Sequence, residues 1–347
     1  MPSLKKLTDS LDNLRLVFRI FFRVTRPDLY LKVFSNSIKN AVGLRRPASA
    51  VIGLTYRCQL GCVHCSAGLY KAERSEELSA AQWLRVLAEI GQMGVPRVNI
   101  SGGEPLLHGG VMEIVRFASE RFVTVLESNG LLLSEDRLKA LKDAGLACVA
   151  VSIDSADPAE HDRLRGSQGC FAGAAEALRR CSRLGLPCVL STYVTAGRAT
   201  AENLAGIEAL ARDTGAMAVR VMPARPVGSF WCAPSSGLST GQERFLLEAM
   251  DRSLCYFKGL PGPRDCGIFK RNTFYVSPYG EVQPCAYLPL AFGDVPAEPL
   301  EGALRRLWAH DIFKVPHRDC LILNDEFRAE HVPVREGFKG RLPFRVK

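Results

Sequence analysis

The chain has no run of about 18 uninterrupted apolar residues, the length a helix needs to cross a bilayer, so nothing in it reads as a membrane span. Nor is a secretory signal expected: Lys5 and Lys6 stand near the start, but Arg15, Arg19 and Arg23 break the apolar run, and no small-residue cleavage site follows. No internal repeat is strong enough to read as a solenoid. A hydrophobic fraction of 47% excludes a disordered polar chain. Basic charge is missing from most of the molecule. The net charge is +9, and +7 of it comes from residues 1–47, which hold ten bases (Lys5, Lys6, Arg15, Arg19, Arg23, Arg26, Lys32, Lys39, Arg45, Arg46) and three acids (Asp9, Asp12, Asp28). The other 300 residues are close to neutral, which argues against a broad nucleic-acid surface.

What the chain does have is cysteine. Twelve in 347 residues are too dilute for a small secreted disulfide scaffold. The expected compartment is therefore a reducing cytoplasm, where clustered cysteines carry metal or redox chemistry. Short apolar runs at 51–55, 97–100, 122–126, 148–153, 188–194 and 218–222 alternate with helical patterns at 80–92, 110–120, 135–143, 172–184 and 201–213. That alternation predicts βαβ units around a parallel sheet, with chemistry in the loops after the strands.

The loop after the first run reads Cys58-Gln59-Leu60-Gly61-Cys62-Val63-His64-Cys65, a C-x3-C-x2-C spacing. Arg57, Gln59 and His64 leave that loop no apolar face to fill, so core packing does not explain three cysteines there. A zinc site would want a fourth ligand and more often shows paired C-x2-C knuckles. His64 lies between two of the thiols, where the backbone makes simultaneous binding awkward. Three cysteines around a [4Fe-4S] cluster leave one iron open to a small molecule.

With this spacing the sequence resembles the radical S-adenosylmethionine superfamily. The resemblance continues through Gly102-Gly103-Glu104-Pro105, similar to that family's GGEP element, and Ser128-Asn129-Gly130, similar to its T-N-G element. It runs on to Ser152 at the end of the fourth run and to His161-Asp162-Arg163-Leu164-Arg165-Gly166. The resemblance implies an α/β fold, a partial (β/α)6 TIM-like barrel. It also implies a [4Fe-4S] cluster on Cys58, Cys62 and Cys65, and reductive cleavage of S-adenosylmethionine to a 5′-deoxyadenosyl radical that abstracts hydrogen from a substrate. Glu104 and the Gly102-Gly103 backbone are expected at the methionyl amino group, Arg165 at the carboxylate, and Ser128, Asn129 and Ser152 at ribose or carboxylate hydrogen bonds. A reductant protein of flavodoxin or ferredoxin type is the implied electron donor.

Cys266, Cys285 and the hairpin sequence Ser277-Pro278-Tyr279-Gly280 resemble the opening of a SPASM or twitch extension, but the later C-x2-C is missing and only Cys320 follows. The expectation is one auxiliary cluster on Cys266, Cys285 and Cys320, its fourth site open or filled by Cys255, Cys232 or a non-cysteine ligand. Cys148, Cys170, Cys181 and Cys188 lie in apolar surroundings and read as buried free thiols.

The expected division is a basic amphipathic helical segment at 1–47, the barrel core at 48–225, a linker and helix at 226–260, the extension at 261–325 and a tail at 326–347. Arg15, Arg19, Arg23 and Arg26 line one helical face, which reads as a contact for a membrane surface or an acidic protein partner, or as a solvated face over a packed helix. A leader-recognition domain of winged-helix type is not expected in these roughly 47 residues of helical pattern. The substrate is expected to be a peptide, a lipid-associated molecule or a small metabolite. The rival is a non-catalytic iron-sulfur electron carrier or scaffold on the same fold, against which Gly102, Gly103 and Glu104 stand where S-adenosylmethionine would be held.

Overall fold

A computed structural model describes residues 47–346 except 71–75, 232–236, 258–265, 315–319, 335–337, 339 and 341, and before residue 47 only Leu29, Leu31, Ser35 and Ile38. The basic stripe Arg15 to Arg26 and Cys232 lie outside the described residues.

The six apolar runs form parallel strands: β1 (Ser49–Gly53), β2 (Arg97–Ser101), β3 (Val123–Ser128), β4 (Cys148–Ser152), β5 (Cys188–Val194) and β6 (Ala218–Pro223). Helices Ala80–Gln92, Val111–Ser119, Glu135–Asp143, Cys170–Arg183 and Ala201–Thr214 follow or join them, as the periodicity predicts. Several begin on a side-chain cap: Ser79 with Gln82 forms a capping box, and Ser134 and Thr200 each accept a backbone N–H three residues on.

The sheet is wider than six strands. Its order is β7-β6-β5-β4-β3-β2-β1-β8-β9, with β7 (Cys255–Phe257) parallel to β6 and β8 (Thr273–Val276) parallel to β1. β9 (Val282–Gln283) then pairs antiparallel with β8, giving the hairpin expected around Pro278-Tyr279-Gly280. The stretch read as linker and helix thus supplies an edge strand beyond β6, and the hairpin of the extension is built onto the barrel's own sheet. β7 escapes the pattern because three residues are too few to show an alternation. The segment read as a tail folds as well: helix Asp325–His331 and strand β11 (Phe344–Arg345), which pairs with β10 (Leu290–Ala291), carry the buried Phe327, Val332, Val334 and Leu342 against the body.

Alternate strand residues separate two environments. Ile52, Val98, Ile100, Leu126, Val149, Val151, Leu190, Val219 and Val221 are fully buried in the main core. On the other face, Arg220 of β6 reaches Glu127 of β3, with Nη1 to Oε1 at 2.7 Å. In a flat sheet strands three apart would lie roughly 14 Å from each other, so the contact requires this face to curl into a barrel interior. Asn99 and Ser101 of β2 also donate to Glu127, and Ser191 of β5 accepts from Arg220 Nε. Below this polar tier lie Val125, Cys148, Val189, Ala218 and Tyr256, and then Leu29 against Val123 and Ala147 near the strand starts. Toward the strand starts this face is mostly apolar, with the charged Arg97 of β2 beside Tyr256, and its upper tiers are polar.

Candidate active site

The Cys58 to Cys65 loop leaves the C-terminal end of β1 and is clamped from three sides. From β2, Gly103 N donates to Thr55 O at 2.6 Å and Glu104 N to Arg57 O at 2.8 Å. Gly103 must be glycine, because a Cβ would fall 2.3 Å from Arg57 O. From the end of helix Pro158–Arg165, the carbonyls of Arg165 and Leu164 accept from Gly61 N and Val63 N, and Gly166 sits at φ +67° against the Gly61 carbonyl. From the loop after β6, Ser229 N donates to Cys65 O, and Gly228 at φ +55° leaves no space for a side chain beside that same oxygen. Gly102 and Gly103, expected beside a ligand, are each packed against backbone, at Thr55 O and Arg57 O.

The sulfurs meet donors. Leu60 N donates to Cys58 Sγ at 3.4 Å, Asn129 Nδ2 approaches the same sulfur at 3.8 Å, and Arg165 Nη1 approaches Cys62 Sγ at 3.9 Å. Burial raises the Cys62 thiol, with Arg165 pulling it back and the neighbouring Cys65 and Cys58 adding to the rise. Among the described residues no three of His, Cys, Asp or Glu converge on the position of one metal ion. A cluster distributes its thiolates over several irons, so three neighbouring thiols with sulfur-directed donors fit it better than a mononuclear site.

Glu104 is fully buried and its carboxylate is engaged within the protein: Leu106 N, Asn129 N and the Ser128 hydroxyl all donate to it. Burial pushes its pKa up to about 7, against the hydrogen bonds that favour the anion. Its carboxylate pins the Ser128-Asn129 turn to the β2 loop. Pro105 opens the short helical turn Pro105–Leu107 that Glu104 caps. Ser152 ends β4, half-buried and paired in register with Ser191.

His64 does not join the thiols. Its ring stacks on Tyr193 with centroids 4.8 Å apart, and Nε2 lies 3.2 Å from Asp154 Oδ2. The same oxygen is 2.7 Å from Arg165 Nε. These are ion-pair distances, but the angles do not make aligned hydrogen bonds, and His64 Nδ1 is buried without a partner in the structure. Asp154 is fully buried; desolvation alone would raise it, yet Arg165 and His64 hold it well below the usual carboxylate range. Asp154 was not legible as a site residue, because a strand-end Asp is more often a turn former. The Glu127–Arg220 pair is invisible in the sequence for a different reason: its members are 93 residues apart.

Cys266, Cys285 and Cys320 come together in the extension. Burial pushes Cys285 up to about 12, with Cys320 and Cys266 adding to it, and burial also raises Cys266, with Cys320 adding. Backbone N–H groups of Ile268 and Phe269 face the Cys266 sulfur, and those of Tyr287 and Leu288 face Cys285, each opposing the rise. Successive backbone N–H groups around a sulfur suit an anionic thiolate. Cys255 does not belong to this set: it lies on β7, at the sheet edge opposite β8, and its thiol donates to Glu208 Oε1 at 3.3 Å. Cys148, Cys170, Cys181 and Cys188 are buried, as expected.

A parallel barrel with a three-cysteine loop at its mouth defines a radical S-adenosylmethionine enzyme, and the Radical SAM superfamily model matches residues 52–207. The chain belongs to that superfamily, whose members use a [4Fe-4S] cluster and S-adenosylmethionine. It is 30% identical over 292 residues to PqqA peptide cyclase of Rhodopseudomonas palustris, covering 79% of this chain and 76% of that protein. It is 27% identical over 294 residues to AdoMet-dependent heme synthase of Methanosarcina barkeri, covering 75% of this chain and 82% of that protein. In fold it is similar to Streptococcus suis SuiB bound to precursor peptide SuiA, with a TM-score of 0.61 at 15% identity over 80% of this chain and 70% of SuiB. The native anSMEcpe structure with bound AdoMet gives 0.58 at 14% identity over 80% of this chain and 84% of that one. No helix among the described residues is long and apolar enough to cross a membrane.

Proposed function

We propose that this enzyme carries its catalytic [4Fe-4S] cluster on Cys58, Cys62 and Cys65, binds S-adenosylmethionine beside it, and acts on a peptide. The observation that carries the reading is the clamped thiol loop at the barrel mouth, with Asn129 and Arg165 aimed at two of its sulfurs. When bound, the cluster would supply the electron for reductive cleavage of S-adenosylmethionine, the chemistry that yields a hydrogen-abstracting 5′-deoxyadenosyl radical. The chain's own residues orient and enclose. The Gly102-Gly103 backbone borders the amino-acid end of the ligand, Glu104 holds the Ser128-Asn129 turn in place, and Arg165 and Ser152 offer donors to the carboxylate. The polar tier of Glu127, Ser191 and Arg220 beneath the mouth supports a substrate with hydrogen-bonding groups rather than a purely apolar one.

The peptide class rests on the PqqA peptide cyclases, with SuiB supporting the fold alone. In this reading Cys266, Cys285 and Cys320 hold one auxiliary cluster, and a flavodoxin- or ferredoxin-type protein supplies electrons. Residues 1–47 form a contact for a membrane surface or an acidic partner, which deletion of that segment with liposome binding as readout tests.

Anaerobic reconstitution with S-adenosylmethionine and dithionite should yield 5′-deoxyadenosine. Deuterium transfer from candidate peptides encoded beside the gene then reads the substrate class. No 5′-deoxyadenosine from intact protein, or undiminished product from Cys62→Ala, would leave the electron-carrier rival standing.

A further inference from the structure

Asp154 is a buried anion joined to the thiol loop through two different residues. Its Oδ2 lies 2.7 Å from Arg165 Nε and 3.2 Å from His64 Nε2, while Oδ1 accepts from Tyr193 N at 2.9 Å. Its own N–H donates to His161 Nδ1 at 3.2 Å, and its carbonyl accepts from Arg198. Arg165 in turn points Nη1 at Cys62 Sγ, 3.9 Å away. His64 sits between Cys62 and Cys65 in sequence, so both arms of this cluster end on the loop that carries the thiols.

The arrangement has little directional bonding to offer. Oδ2 and Arg165 Nε satisfy ion-pair distances without hydrogen-bond angles. What Asp154 delivers at this depth is charge, and in a buried site charge is weakly screened. A cluster taking up an electron becomes more negative, so a neighbouring cation favours its reduced state and a neighbouring anion opposes it; net charge and sulfur-directed donors are established levers on cluster potential. Arg165 alone beside Cys62 would pull the potential up, and Asp154 stands where it offsets that pull.

We infer that Asp154 is a positioning residue that sets the reduction potential of the cluster on Cys58, Cys62 and Cys65 by balancing the charge of Arg165, while anchoring His64 to the same loop. The inference rests on the cluster assignment proposed above. Pairing at Nε also leaves the Nη edge of the guanidinium toward the Cys62 thiol, so one carboxylate offsets the arginine's charge without covering the edge that meets the sulfur.

The test uses the full chain, reconstituted anaerobically with iron and sulfide. The EPR signal that changes on adding S-adenosylmethionine is followed through a redox titration, each cluster taking one electron from dithionite. Asp154→Asn is expected to retain its iron and titrate at a more positive potential. Asp154→Glu, which keeps the charge, should stay near wild type; Arg165→Gln should move negative; and the double variant Asp154→Asn/Arg165→Gln should return toward wild type. An unchanged potential in Asp154→Asn at full iron content, or an equal shift in Asp154→Glu, overturns the inference. If Asp154→Asn does not hold iron, the double variant decides. Iron retained with a near-wild-type potential supports charge balance; iron lost there as well shows that packing alone requires Asp154 and overturns it. A wild-type protein with no signal responsive to S-adenosylmethionine would instead sink the cluster assignment itself.

Discussion

The two cysteine sets of this protein gather three thiols each, but they are surrounded by different kinds of donor. Around Cys58, Cys62 and Cys65 the donors include side chains, Asn129 and the charged Arg165, the latter counterbalanced by the buried Asp154. Around Cys266 and Cys285 they are backbone N–H groups, and burial dominates, pushing Cys285 up to about 12. Side-chain donors can be exchanged one at a time, so the first site is adjustable. Backbone donors are fixed by the hairpin and the turn after Cys266, so the second site is set by the fold. Metal binding must displace thiol protons, and Cys285, pushed up to about 12, depends on the metal to do so.

The sharpest way to break this contrast is to remove one thiol from each set. Cys62→Ala is expected to abolish 5′-deoxyadenosine formation, a loss beyond roughly 100-fold measured by chromatography of the quenched reaction. Cys285→Ala is expected to leave S-adenosylmethionine cleavage measurable while lowering iron by about four per chain, the content of one [4Fe-4S] cluster. Equal losses of product in both variants would show one functional unit rather than two sites.

A second effect concerns the metal-free thiols. With Cys285 near 12 instead of the ordinary 9.0, its thiolate fraction at pH 8 is roughly a thousandfold below that of an unperturbed cysteine. Alkylation of the metal-free protein by iodoacetamide, followed by peptide mass spectrometry, should label Cys285 far more slowly than a short cysteine-containing peptide. Labelling at the peptide's rate would show that burial does not govern this set.

Much of this molecule is legible in its sequence alone. β1 to β6 follow from alternating runs and intervening helical patterns, and the C-x3-C-x2-C spacing names its own loop, because both signals are local. What stays hidden is non-local. β8 pairs with β1 across more than 220 residues, and Arg220 meets Glu127 only because the sheet curls. Cys255 is eligible as a ligand by residue type, and only the sheet order puts it on the far edge beside Glu208. Asp154 illustrates the same limit within the site. Its residue type is commonplace at a strand end, and its weight comes from two partners delivered by separate segments.

The barrel side of the comparison carries a pH signature through Glu104. Its folded pKa of about 7 lies above the ordinary 4.5, so the native state holds a proton that the unfolded chain has already released. That stabilising contribution is full below about 4.5 and is lost as pH rises through about 7, a span worth roughly 3 kcal/mol at 1.36 kcal/mol per unit. Glu104→Gln, which cannot titrate, should flatten that part of the stability curve in urea unfolding of the metal-free protein. An identical pH slope in the variant would place the titration elsewhere. Cys285 should contribute nothing in this window, because its thiol titrates far higher.

The smallest effect tests whether the two regions are mechanically separate. Trp231, in the loop leaving β6, donates Nε1–H to the carbonyl of Val334 at 2.8 Å, and both residues are buried. Trp231→Phe keeps an aromatic ring but leaves that carbonyl without its donor, at a cost of about 1 to 2 kcal/mol. The bond ties the C-terminal segment, which packs on the extension through β10 and β11, to the barrel. If the sets are independent, the variant should lose iron from the Cys266, Cys285 and Cys320 site under chelator challenge faster than wild type, while its rate of 5′-deoxyadenosine formation stays the same. Parallel loss at both sites would mean that the loop from Gly228 to Trp231, which also braces the Cys65 carbonyl through Ser229, transmits strain between them, and the two sites would then differ in chemistry without being mechanically separate.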